Sequence, residues 1–338
     1  MKITISDVAK LANVSKATVS AVINNKSYVS PQTRKRILDV IEKLHYRPNE
    51  IARSLSVRKT KSIGLVIKEI DNPYFAKIMK GVFDACCEHD YTVLLGSSEL
   101  SPIQETKSID ILTSQRVAGL IISPLQGSAV DFTYLVDLIK DKYPLVMLGM
   151  VENYTTNVVD IDNVKAAYKA VKYLIDMGHK EIAYFGGPAY SAHSRDRFEG
   201  YQQALIDNDL PICYDYILEV GSYISDSYDT AKKIFSASED LPSAVFCYND
   251  LVAIGLINAL LELGIDVPGT VSVIGFDDID ICKSVKIPLT TIHVPAYEMG
   301  KKAAELLIKQ IEYPDLTFHE KILLKAELVE RNSCTRKS

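Results

Sequence analysis

Residues 62–338 alternate between short apolar runs and longer segments in which apolar positions recur at helical spacing. The apolar runs, which are the strand candidates, cover residues 63–67, 92–95, 118–122, 145–148, 158–161, 181–185, 217–220, 244–247 and 271–275. Runs with little polar alternation are typical of strands buried on both faces, and the helical segments complete repeated β-α units. The pattern therefore predicts an α/β core of two lobes, each built on a doubly wound parallel sheet.

The first sixty residues show a different pattern, in which short helical segments follow one another without strand candidates. Residues 5–11 form the first predicted helix, with Ser6 placed to cap it. Asn13 tolerates the left-handed backbone of a tight turn, and Ser15 is placed to cap a second helix over residues 16–24. This part of the chain therefore predicts a helix, a turn and a second helix.

A third helix is predicted over residues 32–44, directly after Ser30 and Pro31. Its apolar stripe consists of Ile37, Val40, Ile41 and Leu44. Its basic side chains, which fall outside that stripe, are Arg34, Lys35, Arg36 and Lys43. Three short helices around a small core with a basic exterior are typical of a minimal DNA-binding module.

Charge is distributed unevenly along the chain. Residues 1–61 contain 13 Lys and Arg against 4 Asp and Glu, a net charge of +9, which leaves 25 against 39, a net charge of −14, for the rest. A basic segment suits a polyanionic partner because neutralised phosphates release counterions, and an acidic body limits nonspecific adhesion. The imbalance supports a DNA-binding head on an acidic core, with a merely solvated basic tail as the alternative.

Other functional classes find little support in the sequence. The first seven residues hold no apolar leader and no later run is long enough to cross a bilayer, so we expect a cytoplasmic protein without a membrane partner. The six cysteines show no Cys-x-x-Cys pair, and the six histidines are too scattered to indicate a metal site. Phosphate-loop, dinucleotide-binding and serine-hydrolase motifs are missing, so we expect neither catalysis nor a cofactor.

Residues 4–20 resemble the headpiece signature of the LacI/GalR family of repressors, and residues 46–49 with 52–55 resemble that family's hinge. The resemblance implies three parts: a helix-turn-helix headpiece over residues 1–48, a hinge helix and linker over 49–61, and a two-lobed, periplasmic-binding-protein-like core over 62–338. Within the core, it implies an N-lobe of about residues 62–161 and 293–320, and a C-lobe of about residues 162–292 and 321–332.

In such headpieces the N-terminal part of the second helix enters the major groove, where its side chains read base edges. By position in the motif, the expected base readers are Lys16, Ala17 and Ala21. The other headpiece residues expected to contact DNA, mainly its backbone, are Thr4, Ser15, Thr18, Ser20, Asn24, Tyr28, Ser30, Thr33 and Arg34. For Thr18 and Ser20, capping or packing is the alternative. Many family members carry Arg at the position of Ala21, so we expect an operator unlike the commonest ones.

The hinge segment, residues 49–57, is too short for a helix that is stable alone, so we expect it to order only on DNA. The resemblance implies that Asn49, Ala52 and Leu55 of two subunits enter the minor groove together. There, Leu55 would be wedged between base pairs and bend the duplex. The alternative for Leu55 is ordinary packing against the core.

Doubly wound sheets bind ligands beyond the carboxyl ends of their strands, so residues just after the predicted strands are candidates for an effector site. The candidates are Asn72, Tyr74, Phe75, Ser97, Ser123, His193, Arg197, Tyr248, Asn249 and Asp277. Arg197 lies in a segment that resembles the family's Arg-x-x-Gly-aromatic motif, where it would clamp the ligand. Core packing for Phe75, a turn role for Asn72 and helix capping for Asp250 and Asp278 are the alternatives.

A guanidinium with carboxylate and amide groups beside an aromatic face favours a sugar or sugar derivative as the effector, and a purine or nucleoside remains open. The expected function is therefore a repressor of a metabolic operon that binds a near-palindromic operator as a homodimer. Induction and corepression both remain open, as does a protein corepressor. An exported sugar-binding protein would share the core but not residues 4–55, and a sugar-processing enzyme would need paired catalytic groups.

Overall fold

A computed structural model describes residues 3–23, 26, 28–46, 60–126, 132–151, 153–188, 191–237, 241–315 and 319–337. Its contacts divide the chain into two compact units, Met1–Thr60 and Lys61–Ser338, which we describe separately as the headpiece and the core. The predictions for Asn24, Asn49, Ala52 and Leu55 lie outside the described residues. Within those ranges, no helix combines the length and the apolar character needed to span a bilayer.

The described part of the headpiece contains three helices, α1 (Ile5–Leu11), α2 (Lys16–Ile23) and α3 (Pro31–Lys43). Their facing apolar side chains form one small core, whose fully buried members are Val8, Ala9, Ala12, Val19, Val22 and Ile37. The predicted stripe of α3 takes part in this core, because Val40, Ile41 and Leu44 pack against it. The three-helix prediction is therefore confirmed for this segment.

Thr4, and not Ser6, begins the first helix. The Thr4 backbone N–H and hydroxyl both donate to Asp7 Oδ2, at 2.9 and 2.7 Å, and the first of these is the bond that the acidic residue supplies in a capping box. These hydrogen bonds lower the pKa of the Asp7 carboxyl. The prediction that Ser6 caps the helix is wrong, because the acidic partner lies three residues after Thr4 and only one after Ser6.

The other two helix starts agree with the sequence. Asn13 has a left-handed φ of 50°, as expected for the tight turn between α1 and α2. Ser15 Oγ accepts from the Thr18 N–H at 3.1 Å, and Ser30 Oγ accepts from the Thr33 N–H at 3.3 Å. Both serines therefore satisfy backbone donors that the first turn of a helix leaves open.

The N-lobe of the core is a six-stranded sheet covered by helices on both faces. Its first elements are β1 (Ser62–Ile67), α4 (Pro73–Glu88), β2 (Thr92–Ser97), α5 (Pro102–Ser114), β3 (Leu120–Ile122), α6 (Thr133–Lys140), β4 (Leu145–Leu148) and β5 (Asn157–Ile161). The strand pairs β1–β2, β1–β3, β3–β4 and β4–β5 are all parallel. Nearly all of β1, β3, β4 and β5 is buried, as continuous apolar runs predict.

The C-lobe contains a four-stranded sheet in the order β7-β6-β8-β9, again with every pair parallel. Its elements are α7 (Asn163–Asp176), β6 (Ile182–Gly186), α8 (Ala192–Ile206), β7 (Ile217–Glu219), α9 (Ile224–Phe235), β8 (Ala244–Cys247), α10 (Asp250–Glu262) and β9 (Ser272–Ile274). Every predicted strand of both lobes therefore has a counterpart, and the fold is the predicted two-lobed α/β core.

The last elements pass between the two lobes. They are β10 (Thr291–His293), α11 (Ala296–Glu312), β11 (Lys321–Leu324) and β12 (Glu327–Val329). The assignment of residues 321–332 to the C-lobe is wrong for β11, which pairs in parallel with β5 and forms an edge of the N-lobe sheet. Its residues alternate between exposed and half-buried, as on an edge strand with one covered face. Only β12 returns, to pair antiparallel with β10.

Two glycines allow α4 and α11 to pack in backbone contact across the N-lobe. A Cβ atom at Gly81 would lie 2.0 Å from the Tyr297 carbonyl oxygen, and one at Gly300 would lie 2.1 Å from the Ile78 carbonyl oxygen. Because these atoms belong to the backbone, a side chain could be accommodated only if the helices separated. The close approach of α4 and α11 thus depends on both glycines.

We expect Gly81→Ala to destabilise the core by about 1–3 kcal/mol, since overpacking a close helix contact outweighs the higher helix propensity of alanine. Gly96→Ala is the control, because its Cβ would meet the Ser108 Cβ at 3.1 Å and not a backbone atom. Urea denaturation of the full chain measures both free energies of unfolding. Equal losses in the two variants would contradict the role given to the helix contact.

Candidate effector and DNA-binding sites

The exposed start of α2 carries the predicted base readers. Lys16 and Ala17 are exposed, whereas Thr18 and Ser20 are half-buried. Ala21 is only 4% exposed, and its carbonyl accepts from the Lys26 N–H at 2.9 Å, so the chain after α2 folds back beside it. The prediction that Ala21 presents its methyl group to a base is therefore not supported, and Lys16 and Ala17 form the accessible part of the helix.

The residues predicted to contact the DNA backbone differ in the exposure and the hydrogen bonding of their side chains. Thr4, Ser15, Tyr28 and Ser30 are exposed, and Thr33 and Arg34 are half-buried. The hydroxyls of Ser15 and Ser30 also hydrogen-bond to Thr18 and Thr33, within their helix caps. Arg34 donates to the Lys26 carbonyl at 2.5 Å and to the Val22 carbonyl at 3.5 Å, so this side chain already fixes the end of α2.

In the core, residues of both lobes line one narrow cleft beyond the carboxyl ends of the strands. The lining consists of Lys68, Glu69, Asn72, Tyr74, Phe75, Leu100, Pro188, Ser191, His193, Arg197, Tyr248, Asn249 and Asp277. Eight of the ten predicted effector residues are among them. The cavity measures about 20 Å³, which is room for about one water molecule. The cleft is therefore closed in this structure.

Ser97 and Ser123, the other two predicted effector residues, do not line the cleft. Ser97, at the end of β2, donates its hydroxyl to the Glu99 carboxylate. Ser123 is 1% exposed, and its N–H donates to the Val66 carbonyl at 2.9 Å, which continues the pairing of β1 with β3. Ser97 is the last residue of β2 and Ser123 directly follows β3, so both lie at strand ends as predicted, but neither is part of the cleft lining.

Arg197 organises the C-lobe side of the cleft. Its guanidinium donates to Asn163 Oδ1 at 3.2 Å, to the Tyr248 carbonyl at 2.5 Å and to Asp277 Oδ1 at 3.2 Å. The same group lies 3.6 Å from the centroid of the Phe276 ring. Three of its five N–H donors are thus used within the protein. We conclude that Arg197 holds other cleft residues in place.

Asp277 meets Arg197 from a backbone conformation that few residues other than glycine adopt. Its φ is 111°, and the next residue, Asp278, has a φ of 56°. Positive φ values at two consecutive residues cost free energy and are found mainly where a site requires them. Burial raises the pKa of Asp277 to about 7, against the attraction of the Arg197 guanidinium. The carboxyl group therefore ionises close to neutral pH.

Two predicted amide ligands serve as helix caps. Asn72 Oδ1 accepts from the Tyr74 N–H at 3.0 Å at the start of α4, and Asn249 Oδ1 accepts from the Val252 N–H at 2.8 Å at the start of α10. The Asn249 amide also donates to the Ser222 carbonyl at 3.1 Å. Both side chains line the cleft, yet their hydrogen bonds mainly fix the helices that border it.

Aromatic rings cover the rest of the cleft. Tyr74 and Phe75 pack edge to face with their ring centroids 5.2 Å apart, and both are almost fully buried. On the C-lobe side of the cleft, the Tyr248 hydroxyl lies 3.2 Å from Ser191 Oγ. A planar ring could stack on these faces once the lobes separate. The alternative of a purely core role for Phe75 does not account for its position at the cavity.

The alternative roles for Asp250 and Asp278 as helix caps are wrong. Asp250 is fully buried and accepts from the Thr291 hydroxyl and from the Ile279 N–H, at 2.5 and 2.9 Å. Asp278 instead pairs with Arg331, at 2.6 Å. Sequence reasoning missed Lys68 and Glu69, although their position directly after β1 is the signal used for the other candidates. The described part of the chain shows no cluster of His, Cys, Asp or Glu able to hold a metal ion.

We expect Arg197→Met to destabilise the core by about 3–5 kcal/mol at pH 8, because it leaves the buried Asp277 carboxylate without its partner. Without the guanidinium the pKa of Asp277 rises further above its unfolded value, so the folded state binds an extra proton and loses stability as pH increases. The loss in free energy of unfolding relative to wild type should therefore be smaller at pH 6 than at pH 8. Denaturant titrations at both pH values measure it.

Arg195→Met is the matched control, since Arg195 lies in the same helix but is exposed. We expect this change to alter the free energy of unfolding by no more than about 0.5 kcal/mol. A pH-independent deficit in Arg197→Met would show that lost packing, and not the unpaired carboxylate, dominates.

Comparisons with known proteins agree with this architecture. Residues 4–49 match the model for bacterial regulatory proteins of the lacI family, and residues 171–334 match the periplasmic binding protein-like domain. The HTH-type transcriptional repressor PurR of Haemophilus influenzae (strain PittEE) is 35% identical over 334 residues, which cover 98% of both chains. The relatives of this kind are repressors and not enzymes.

Two solved structures share the fold over almost the whole chain. A complex of the transcriptional regulator CelR with cellobiose is 28% identical, with a TM-score of 0.73 over 98% of this chain and 99% of that one. The lac repressor dimer bound to operator and the anti-inducer ONPF is 24% identical, with a TM-score of 0.88 over 99% and 100%. The chain therefore belongs to the LacI family and is a transcriptional repressor of that family.

Proposed function

We propose that this repressor binds a near-palindromic operator as a homodimer and that a small molecule in the interlobe cleft controls its affinity for DNA. The observation that carries the proposal is the convergence of side chains from both lobes on one closed cleft. A ligand there contacts both lobes at once, so its affinity depends on how the lobes are arranged. As a DNA-binding repressor, the protein acts in the cytoplasm.

Contacts between the lobes close the cleft. Lys77 on α4 pairs with Asp280 at 3.1 Å and donates to the Asp278 carbonyl at 3.2 Å. Deeper in the cleft, His193 Nε2 lies 3.6 Å from Asp160 Oδ1. An entering ring must separate these pairs or replace them with its own contacts. Effector binding therefore shifts the balance between open and closed lobes, which is the link to DNA binding that we propose.

We propose a purine base as the effector, with a sugar as the second candidate. The relatives at 35% identity over nearly the whole chain carry the name PurR, which points to purines. The aromatic faces of Tyr74, Phe75 and Tyr248 suit a planar ring. The CelR complex with cellobiose supports the sugar that the sequence favoured, but at 28% identity.

An apolar groove supports the proposed dimer. It has a volume of about 780 Å³ and lies between the starts of α4 and α9 and the helical turn Asp280–Lys283. Ile224 and Ile281, which line it, are 36% and 49% exposed, and nearby Ile70 is 54% exposed. Apolar surface of this extent is typical of an interface, and the similar lac repressor is a dimer. We therefore propose that a second copy of the chain covers this groove.

Selection of duplex DNA from a randomised library by the full chain tests the DNA-binding half of the proposal. We expect a near-palindromic site with two half-sites, bound by a dimer. Lys16→Ala should change the preferred base at one position of each half-site and cost about 1–3 kcal/mol on the original site. A library that yields no enriched sequence would refute sequence-specific binding.

Lys35→Ala is the control for that experiment, because Lys35 is exposed on α3 and was not among the predicted readers. Loss of a phosphate contact weakens binding to all sequences alike and lowers the salt dependence, so the preferred site should stay the same. The same change of preference in both variants would remove Lys16 from the base readers.

Titration of the selected duplex in the presence of hypoxanthine, guanine, ribose or cellobiose tests the effector half. We expect one purine base to change the dissociation constant for the duplex by about 5–150-fold, the usual size of an allosteric coupling. Fluorescence anisotropy measures it, and a change in either direction identifies the effector. A response to a sugar and to neither purine would replace the first candidate by the second.

A further inference from the structure

We propose that Lys68 and Glu69 are effector contacts, and that they require an uncharged ligand with an oxygen acceptor for Lys68 and an N–H or O–H donor for Glu69. The inference rests on the proposed function of the cleft and specifies the chemistry of its ligand. Neither residue belongs to the site predicted from the sequence. Both follow directly after β1 and line the closed cleft.

The Lys68 side chain is almost fully buried at the cleft, but its ammonium nitrogen is not itself fully buried and has no partner among the described residues. The residue is 4% exposed, yet its Nζ atom makes no hydrogen bond and no ion pair within the described part of the chain. Burial lowers the pKa of Lys68, although Glu105, Asp160 and Glu69 attract its charge from a distance. A buried ammonium normally has a close acceptor, because the loss of hydration is otherwise uncompensated. A ligand oxygen would supply it.

One oxygen of the neighbouring Glu69 carboxylate has no hydrogen-bond donor. Its Oε2 atom accepts from the Asn72 amide at 3.2 Å, but the buried Oε1 atom accepts no hydrogen bond among the described residues. Burial raises the pKa of this carboxyl group, and the nearby Tyr223 hydroxyl acts in the opposite direction without completing a bond to Oε1. The cleft thus offers one open donor and one open acceptor on consecutive residues.

Other charged side chains in and near the cleft have hydrogen bonds within the protein. Arg197 has the three acceptors described above. The buried Glu105 carboxylate accepts from the Tyr134 hydroxyl at 3.0 Å and from the Leu125 N–H at 2.8 Å. Asp160 accepts from the Ile161 N–H at 2.8 Å and from the Asn163 amide at 3.3 Å. Among the described residues, one other buried side-chain atom, Ser98 Oγ, also has no partner, but Ser98 does not line the cleft.

The charge of the cleft selects against an anionic ligand. Two basic side chains, Lys68 and Arg197, and two acidic ones, Glu69 and Asp277, line the cleft, and Glu105 and Asp160 attract the charge of Lys68 from outside the lining. Because the basic and acidic groups of the lining balance, a phosphate or carboxylate would add an uncompensated charge, whereas a neutral ring with adjacent acceptor and donor groups completes both open hydrogen bonds. Free sugars and free nucleobases share this chemistry. Sugar phosphates and nucleotides do not fit it.

Stability without ligand gives the first test. If Lys68 and Glu69 are held without partners for a ligand, Lys68→Met and Glu69→Gln remove a cost, and each should raise the Tm of the dialysed full chain by about 2–4 °C. Glu105→Gln is the matched control, because it weakens a carboxylate with two donors and should lower the Tm. A lower Tm in Lys68→Met would make this lysine a structural counterion and overturn the proposal.

Pairs of a neutral compound and a related phosphorylated compound give the second test, by thermal shift of the wild-type chain. Ribose is compared with ribose 5-phosphate, and hypoxanthine with inosine 5′-phosphate, so that the arms separate sugars from nucleobases. We expect only a neutral member to raise the Tm, and Lys68→Met to weaken its binding at least about 10-fold. Tighter binding of a phosphate ester, or unchanged affinity in Lys68→Met, would overturn the proposal. If none of the four probes binds, the stability of the variants decides, and operator selection by wild type tests the proposed function separately.

Discussion

The hydrogen bonds of the buried Arg197 guanidinium are the interactions on which the floor of the cleft depends. They join the start of α7 through Asn163, the end of β8 through the Tyr248 carbonyl and the loop after β9 through Asp277. A charge buried to this degree is stable only with its partners in place, so these three elements keep one arrangement. The C-lobe therefore presents a fixed surface. The N-lobe side, with the open groups of Lys68 and Glu69, is the incompletely bonded half of the site.

Much of the fold could be predicted from the sequence because its signals are local. Apolar runs without alternation identify buried parallel strands, and Asn13, Ser15 and Ser30 mark the turn and the helix starts of the headpiece. β11 could not be assigned in this way. Its four residues carry a weak alternating pattern, and the strand it pairs with, β5, is far away in the sequence. Pairing between distant segments depends on tertiary packing, which a local pattern does not contain.

The site, too, could be predicted where its signals are local and not where they depend on tertiary packing. The rule that ligands lie beyond strand ends found Tyr74, Arg197 and Asp277, and the segment of Arg197 also resembles a family motif. Lys68 and Glu69 also satisfy the rule, but charged residues after a strand are usually solvated, and only the folded chain shows that these two are buried. The prediction for Ala21 is not supported, because a position in a motif does not show whether the side chain is buried in the folded headpiece. Burial and hydrogen-bond completeness decide such cases, and both are properties of the folded chain.

The narrowness of the closed cleft has a kinetic consequence. A cavity of about 20 Å³ cannot admit a ring compound by diffusion, and a ring bound between closed lobes cannot leave by the same path. Entry and exit both wait for the lobes to part, a movement that disrupts the Lys77–Asp280 pair at the rim. The lifetime of the bound state is then limited by how often the lobes open, as well as by the strength of the contacts inside. Such a repressor averages over rapid fluctuations in effector concentration and responds to sustained changes.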